Sequence, residues 1–174
     1  VIEFLVLSLP TFIYLLVRRR DPSARVTMGL TMPRPMGWLL GAALTLVSLG
    51  IGYVTTSAVP SEILHGPGTT GPITGVVAGL FVALRATGEE ILFRGFIQGL
   101  IAKRFGPLVG IGVQGLLFLI PHLPLLSLSP RLGPLVLGQF AIGLALGWLR
   151  HHTSSIWPGT LAHIVTNVAA GLAF

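Results

Sequence analysis

Residues 86–96 read ATGEEILFRGF, and this stretch decides the fold because two adjacent acids and an arginine interrupt one of the most apolar parts of the chain. Glu90 and Arg94 are four residues apart, as are Arg85 and Glu89, the spacing at which side chains meet on one face of an α-helix. The composition names the solvent around that helix. Of 174 residues, 52% are hydrophobic and only 9% charged, with a mean hydropathy of +0.87. An ordinary soluble domain carries about 25% charged residues. So few polar side chains cannot cover the surface of a soluble domain of this length, so the bilayer does the covering. The charged group at 85–94 therefore belongs to a membrane-embedded helix.

Working outward, segments able to supply about 20 apolar residues per span fall at 1–17, 37–59, 72–100, 107–126, 132–149 and 155–174. The expected fold is all-α: a polytopic transmembrane bundle of about six helices, forming one transmembrane domain over 1–174 with a polar intramembrane cavity. The first segment reads as a helix rather than a signal peptide, since no charged region precedes it and no small-residue cleavage site follows. The chain begins without a methionine, as a fragment of a longer protein would. No cysteine is present, which removes disulfides, thiol nucleophiles and cysteine-held metals.

The formal charge of +6 does not point to nucleic acid, because the basic residues lie in short groups between apolar segments. Arg18, Arg19, Arg20, Arg25 and Arg34 fall between segments one and two, Lys103 and Arg104 between three and four, and Arg150 between five and six. The alternate loops are poor in basic residues. The positive-inside rule then puts the basic loops on the cytoplasmic side and both termini outside. Trp38, Trp148 and Trp157 stand beside those loops, at the headgroup level that indoles favour. Gly143 and Gly147, and likewise Gly106 and Gly110, are four apart and suit close helix packing.

An acid or base at mid-bilayer costs about 2.5–3.5 kcal/mol on insertion scales, so each needs a partner, a wet cavity or a function. Glu90 and Arg94 have the favourable order, acid before base, and read as an intrahelical ion pair. Arg85 and Glu89 have the reverse order, and Glu89 lies about 100° round the helix from Glu90. Gln114, Phe118 and His122 form one stripe of the fourth segment, where Pro121 predicts a kink. His163 and Asn167 form another in the sixth, with Thr160 a turn earlier. His65, His151 and His152 read as loop residues. A lone buried histidine or asparagine in a membrane helix is ordinarily interhelical glue. A carboxylate, two imidazoles and an amide on three helices are a set from which a polar pocket is built.

These residues carry a resemblance. EEILFR matches EExxxR, FLIPH matches FxxxH, and HIVTN matches HxxxN, in the order that marks the CPBP family of intramembrane endopeptidases, which includes the type II CAAX prenyl endopeptidases and bacteriocin-processing proteins. The stretch GWLRHHTSSIWPGTLAHIVTN also resembles the family's connection between its last core helices. The resemblance covers about residues 72–170.

It implies Glu89 as the general base that activates water, His122 as the group holding that water, and His163 with Asn167 as the oxyanion site. Glu90, Arg94 and Phe118 would support them. It implies a peptide or lipidated protein substrate in contact with membrane lipids, and leaves prenyl-protein processing, bacteriocin maturation and self-immunity open. Glu89, His122 and His163 also make a zinc-type ligand set with a position for water, though without the HExxH spacing. Metal-free chemistry is the preferred expectation and zinc the alternative. A non-enzymatic immunity or chaperone-like membrane partner, using the same polar cluster for helix packing, is the competing function.

Overall fold

In a computed structural model, which describes residues 1–64 and 73–173, the chain is helical throughout, with no strand among the described residues. Six long helical runs follow in order. Helix α1 is Ile2–Val17 and α2 is Pro35–Ser57. Helix α3 is composite: Val76–Glu90, a π-helical stretch Ile91–Ile97, then Gln98–Phe105. Helix α4 is Pro107–Leu119, carried on by a 3-10 turn at Ile120–His122 and by Pro124–Leu128. Helices α5 and α6 are Gly133–Thr153 and Trp157–Ala173. His65 and Pro72, expected in the loop before α3 and at its start, lie outside the described residues.

Three of these runs, 35–57, 107–128 and 130–153, are long and apolar enough to cross a bilayer by length and composition. Helix α1 is apolar but only 16 residues long. Helices α3 and α6, expected as spans, carry the polar groups and fall outside that criterion. His151 and His152, expected in a loop, instead form the last turn of α5. The outward faces of α1 and α2 expose Leu9, Phe12, Leu16, Leu39, Leu46 and Tyr53. Exposed apolar rows of that extent suit lipid, not water.

Local chemistry sets the joints. Gly106, at φ 91°, occupies a backbone region that side chains rarely adopt, and Pro107 then opens α4 at a position needing no backbone donor. This pair turns α3 back against α4 as neighbours. Helix α3 is the hub, packing on α1, α4, α5 and α6, while α2 closes the far side against α5 and α6. A small apolar core of Ile142, Leu146 and Ala162 fills the space toward Leu44 and Ile51 of α2. Between α1 and α2 the short helix Ala24–Thr27 folds in beneath α3, so closely that a side chain at Gly99 would meet the Thr27 carbonyl.

A candidate active site on helices three, four and six

The π-helical stretch begins directly after Glu90. In such a stretch hydrogen bonds run from i to i+5, so carbonyls lose their usual α-helical partners and seek others. Two are satisfied from outside. The Thr11 hydroxyl of α1 donates to the Ile91 carbonyl at 3.1 Å, and Arg150 Nε of α5 donates to the Arg94 carbonyl at 3.1 Å. Arg150 Nη2 also donates to the Thr27 carbonyl at 2.6 Å. One guanidinium thus ties the α1–α2 connection, the π turn and the end of α5 together. Sequence reading saw Arg150 only as a loop charge, far along the chain from any acid and with no sign of carbonyl partners.

The two glutamates divide as their spacing predicts. Glu90 is fully buried, its Oε1 2.8 Å from Arg94 Nη1. Arg94 is equally buried; its Nη2 donates to the Gly143 carbonyl at 3.2 Å and its guanidinium lies 4.3 Å from the centre of the Phe118 ring. Glu89 keeps 12% of its side chain exposed and pairs with Arg85, whose Nε is 3.0 Å from Glu89 Oε1. Arg85 therefore does reach Glu89, the relationship that spacing alone left open.

His163 of α6 reaches both acids. Its Nδ1 is 2.9 Å from Glu90 Oε1 and its Nε2 is 3.7 Å from Glu89 Oε2. A carboxylate only accepts, so the Nδ1 proton is the one donated to Glu90, a tautomer assigned from its partner. Nε2 then faces Glu89, able to accept when the ring is neutral and to donate when it is protonated.

His122 stands where the α4 helix breaks. Pro121 removes a backbone donor, and the α-helical geometry gives way to a 3-10 turn at Ile120–His122, the predicted kink. His122 Nδ1 donates to the Phe118 carbonyl at 2.9 Å, which leaves Nε2 as the free nitrogen of the ring. Phe118 is the floor between the imidazoles: its ring centre lies 5.0 Å from His122 and 5.9 Å from His163. Asn167 follows His163 by one turn of α6, half-buried and without a hydrogen bond among the described residues.

Two buried glutamines extend the polar set beyond expectation. Gln98 Nε2 donates to the Gly147 carbonyl at 2.7 Å, and Gln114 Nε2 to the Gly143 carbonyl at 2.9 Å. Gln114 belonged to the α4 stripe; Gln98 was missed, although it continues the Glu90, Arg94 row at the same interval of four. Gly143 and Gly147 therefore do more than let helices approach. Without side chains, they open the α5 backbone to a guanidinium and two amides.

The three residues that form a zinc-type set in sequence are not placed so that they hold one ion between them. Among the described residues no group of three His, Asp or Glu side chains is placed to hold a metal ion. His163 Nδ1 is taken by Glu90, and both imidazoles pack against the Phe118 ring. The arrangement does not fit the metal, and no step is derived through one.

A family model described as type II CAAX prenyl endopeptidase, Rce1-like, matches residues 68–169, more than half of the chain. The chain belongs to the Rce1-like family. The match spans α3 to α6 and so contains every side chain from Glu89 to Asn167 placed above, while α1 and α2 lie before it. An Rce1-like protein is a membrane protein of a peptidase family, which agrees with the apolar helices here. No curated protein and no solved structure matches the chain.

Proposed function

We propose that this Rce1-like protein is an intramembrane endopeptidase that hydrolyses a peptide bond in a membrane-associated or lipidated peptide. The observation that carries the reading is the unequal fate of the paired acids. Glu90 is consumed by Arg94 and His163, while Glu89 retains partial exposure and faces His163 Nε2 across 3.7 Å. A base must reach both its water and the site where that water attacks.

Glu89 takes a proton from water held between it and His122 Nε2. The water oxygen bonds to the scissile carbonyl carbon, and the developing oxyanion is met by the Nε2–H of a protonated His163, whose Nδ1–H stays on Glu90, and by the Asn167 amide. Glu89 passes its proton to the leaving nitrogen as the carbon–nitrogen bond breaks. Glu90 and Arg94 hold His163 and α3 in place, and Phe118 excludes water from beneath the imidazoles. The basic loops carrying Arg18 to Arg20 and Lys103 with Arg104 face the cytoplasm in this reading, in a single transmembrane domain spanning the membrane several times.

The test is cleavage of a lipidated peptide by purified, reconstituted protein, comparing wild type with Glu89→Gln. Loss of cleavage with retained folding supports the reading; undiminished cleavage overturns it. The 3.0 Å Arg85–Glu89 pair favours a second reading, in which the cluster only packs helices in an immunity or chaperone-like partner. In that case no Glu89-dependent cleavage exists, and Glu89→Gln lowers stability instead.

A further inference from the structure

Three successive carbonyls of one turn meet three different helices. The short helix Ala24–Thr27 ends in a closed turn, in which Leu30 N–H donates to the Arg25 carbonyl at 2.9 Å and Gly29 N–H to the Val26 carbonyl at 2.9 Å. Gly29 stands at φ 65°, the left-handed conformation that closes such a helix end. With its donors engaged inside the turn, the segment offers its acceptors outward. The Thr27 carbonyl accepts from Arg150 Nη2 of α5 at 2.6 Å, and the Gly29 carbonyl accepts from the Ile156 N–H, just before α6, at 2.9 Å. Between them the Met28 carbonyl abuts α3, where a methyl built on Gly95 would stand 3.2 Å from its oxygen. Met28 itself is fully buried. Thr31 adds a bond from its hydroxyl to the Ser154 carbonyl at 3.0 Å.

We propose that the Thr27–Gly29 turn is a positioning clamp for catalysis, setting how far α6 stands from the π-helical half of α3. The inference rests on the endopeptidase reading, which needs His163 of α6 beside the two acids of α3. Helix α6 packs on the Val76–Glu90 half of α3 but has no extensive contact with the half after Glu90 among the described residues. The turn bridges that interval. It meets α3 at Gly95, five residues past Glu90, and α6 at Ile156, seven residues before His163. Seven helical residues span about 10 Å, so a shift at Ile156 is carried along a short rigid lever to His163. The contacts it governs are the 2.9 Å from His163 Nδ1 to Glu90 and the 3.7 Å from Nε2 to Glu89. A displacement of about 1 Å in such a site costs about a hundredfold in rate. The turn acts through backbone carbonyls, and it lies before residues 68–169, outside the family match.

The chain contains no cysteine, so two introduced ones are the only attachment points for nitroxide labels. Lys103→Cys on α3 and Leu161→Cys on α6, both exposed, report the separation of the two helices by dipolar spectroscopy in lipid bilayers. Unlabelled full chain in the same bilayers gives kcat and KM on a lipidated peptide. Gly29→Ala is the test, since its methyl would stand 3.1 Å from Ile156 Cγ2 and 3.2 Å from Arg150 Nε, at a φ that alanine resists. The separation is expected to shift or spread by about 1 Å or more, and kcat to fall about a hundredfold while KM changes by less than about threefold. Gly138→Ala is the control for instability alone, because its methyl would stand 2.9 Å from Thr55 Cγ2, between α5 and α2. It should melt lower and keep both the separation and kcat. Should Gly29→Ala fail to fold, Thr31→Val takes its place, losing only the bond to the Ser154 carbonyl. The same changes in smaller measure then support the clamp, and an unchanged separation with unchanged kcat overturns it. An unchanged separation in folded Gly29→Ala, or equal losses of kcat in Gly29→Ala and Gly138→Ala, overturns the proposal while leaving the endopeptidase reading standing. Absence of any Glu89-dependent cleavage by the otherwise unaltered chain overturns both.

Discussion

Glu90 of α3 and His163 of α6 meet at 2.9 Å through the same carboxylate oxygen that faces Arg94 at 2.8 Å. One oxygen therefore joins a fixed cation to an imidazole, and the orientation of His163 is inherited from an ion pair in another helix. Oriented imidazoles need such a partner, because the bond made by one ring nitrogen decides what the other can do.

Removing the cation alone should be costly. Arg94→Met leaves Glu90 buried without its fixed cation, with only the His163 Nδ1 contact remaining, and breaking a buried pair from one side costs about 3–5 kcal/mol. The double variant Glu90→Gln with Arg94→Met carries no stranded charge and should recover most of that loss. Thermal unfolding in detergent measures both, and a double variant as unstable as the single one would contradict the account.

Asn167→Ala separates chemistry from packing. Its amide is half-buried and bonded to nothing described, so stability should change by less than about 0.5 kcal/mol. Cleavage should fall by about 2.7–4 kcal/mol of transition-state stabilisation, a hundredfold or more in kcat. Peptide turnover beside a melting curve reads the two effects separately.

Gly147→Ala tests the open backbone of α5. The new methyl would collide with Gln114 Nε2 and stand 3.2 Å from Gln98 Oε1. Overpacking of this kind costs about 1–3 kcal/mol. Gly112→Ala on α4, whose added methyl meets nothing within 4 Å, is the neutral comparison in the same denaturation assay.

Arg150→Gln should loosen the segment beneath α3. It removes donors to the Arg94 and Thr27 carbonyls, and hydrogen bonds to charged groups contribute about 1.5–3 kcal/mol each. Arg150→Lys reaches one carbonyl at a time and should recover part of the loss. Hydrogen exchange across residues 24–29 and 91–97 should rise together in Arg150→Gln; a rise in only one would show that the two are not coupled.

What could be read in the sequence was what helical spacing controls. Glu90 with Arg94, the stripe from Gln114 to His122 and the break at Pro121 follow from intervals within one helix, and each appears in the structure. The partners supplied by other helices did not show. The Thr11 and Arg150 contacts to the π stretch span 80 and 56 residues, and neither donor differs in type from an ordinary surface or packing residue. Gly143 and Gly147 looked like a packing ridge because a glycine pair has the same spacing whether it receives a helix or three polar side chains. His163 gave no sign in sequence that Glu90, rather than substrate alone, would meet it.

The π stretch gives α3 two angular phases joined by a slip. An α-helix advances about 100° per residue, and the wider turns at Ile91–Ile97 delay that advance. The half bearing Arg85 and Glu89 and the half bearing Gln98, Lys103 and Arg104 therefore answer to different rotational frames. Deleting one residue within 91–97 would let the rod wind evenly, but it would swing its basic end round relative to its acids. The wide turns act as a phase shifter, permitting one continuous helix to address the buried polar cluster and its own basic end in different directions.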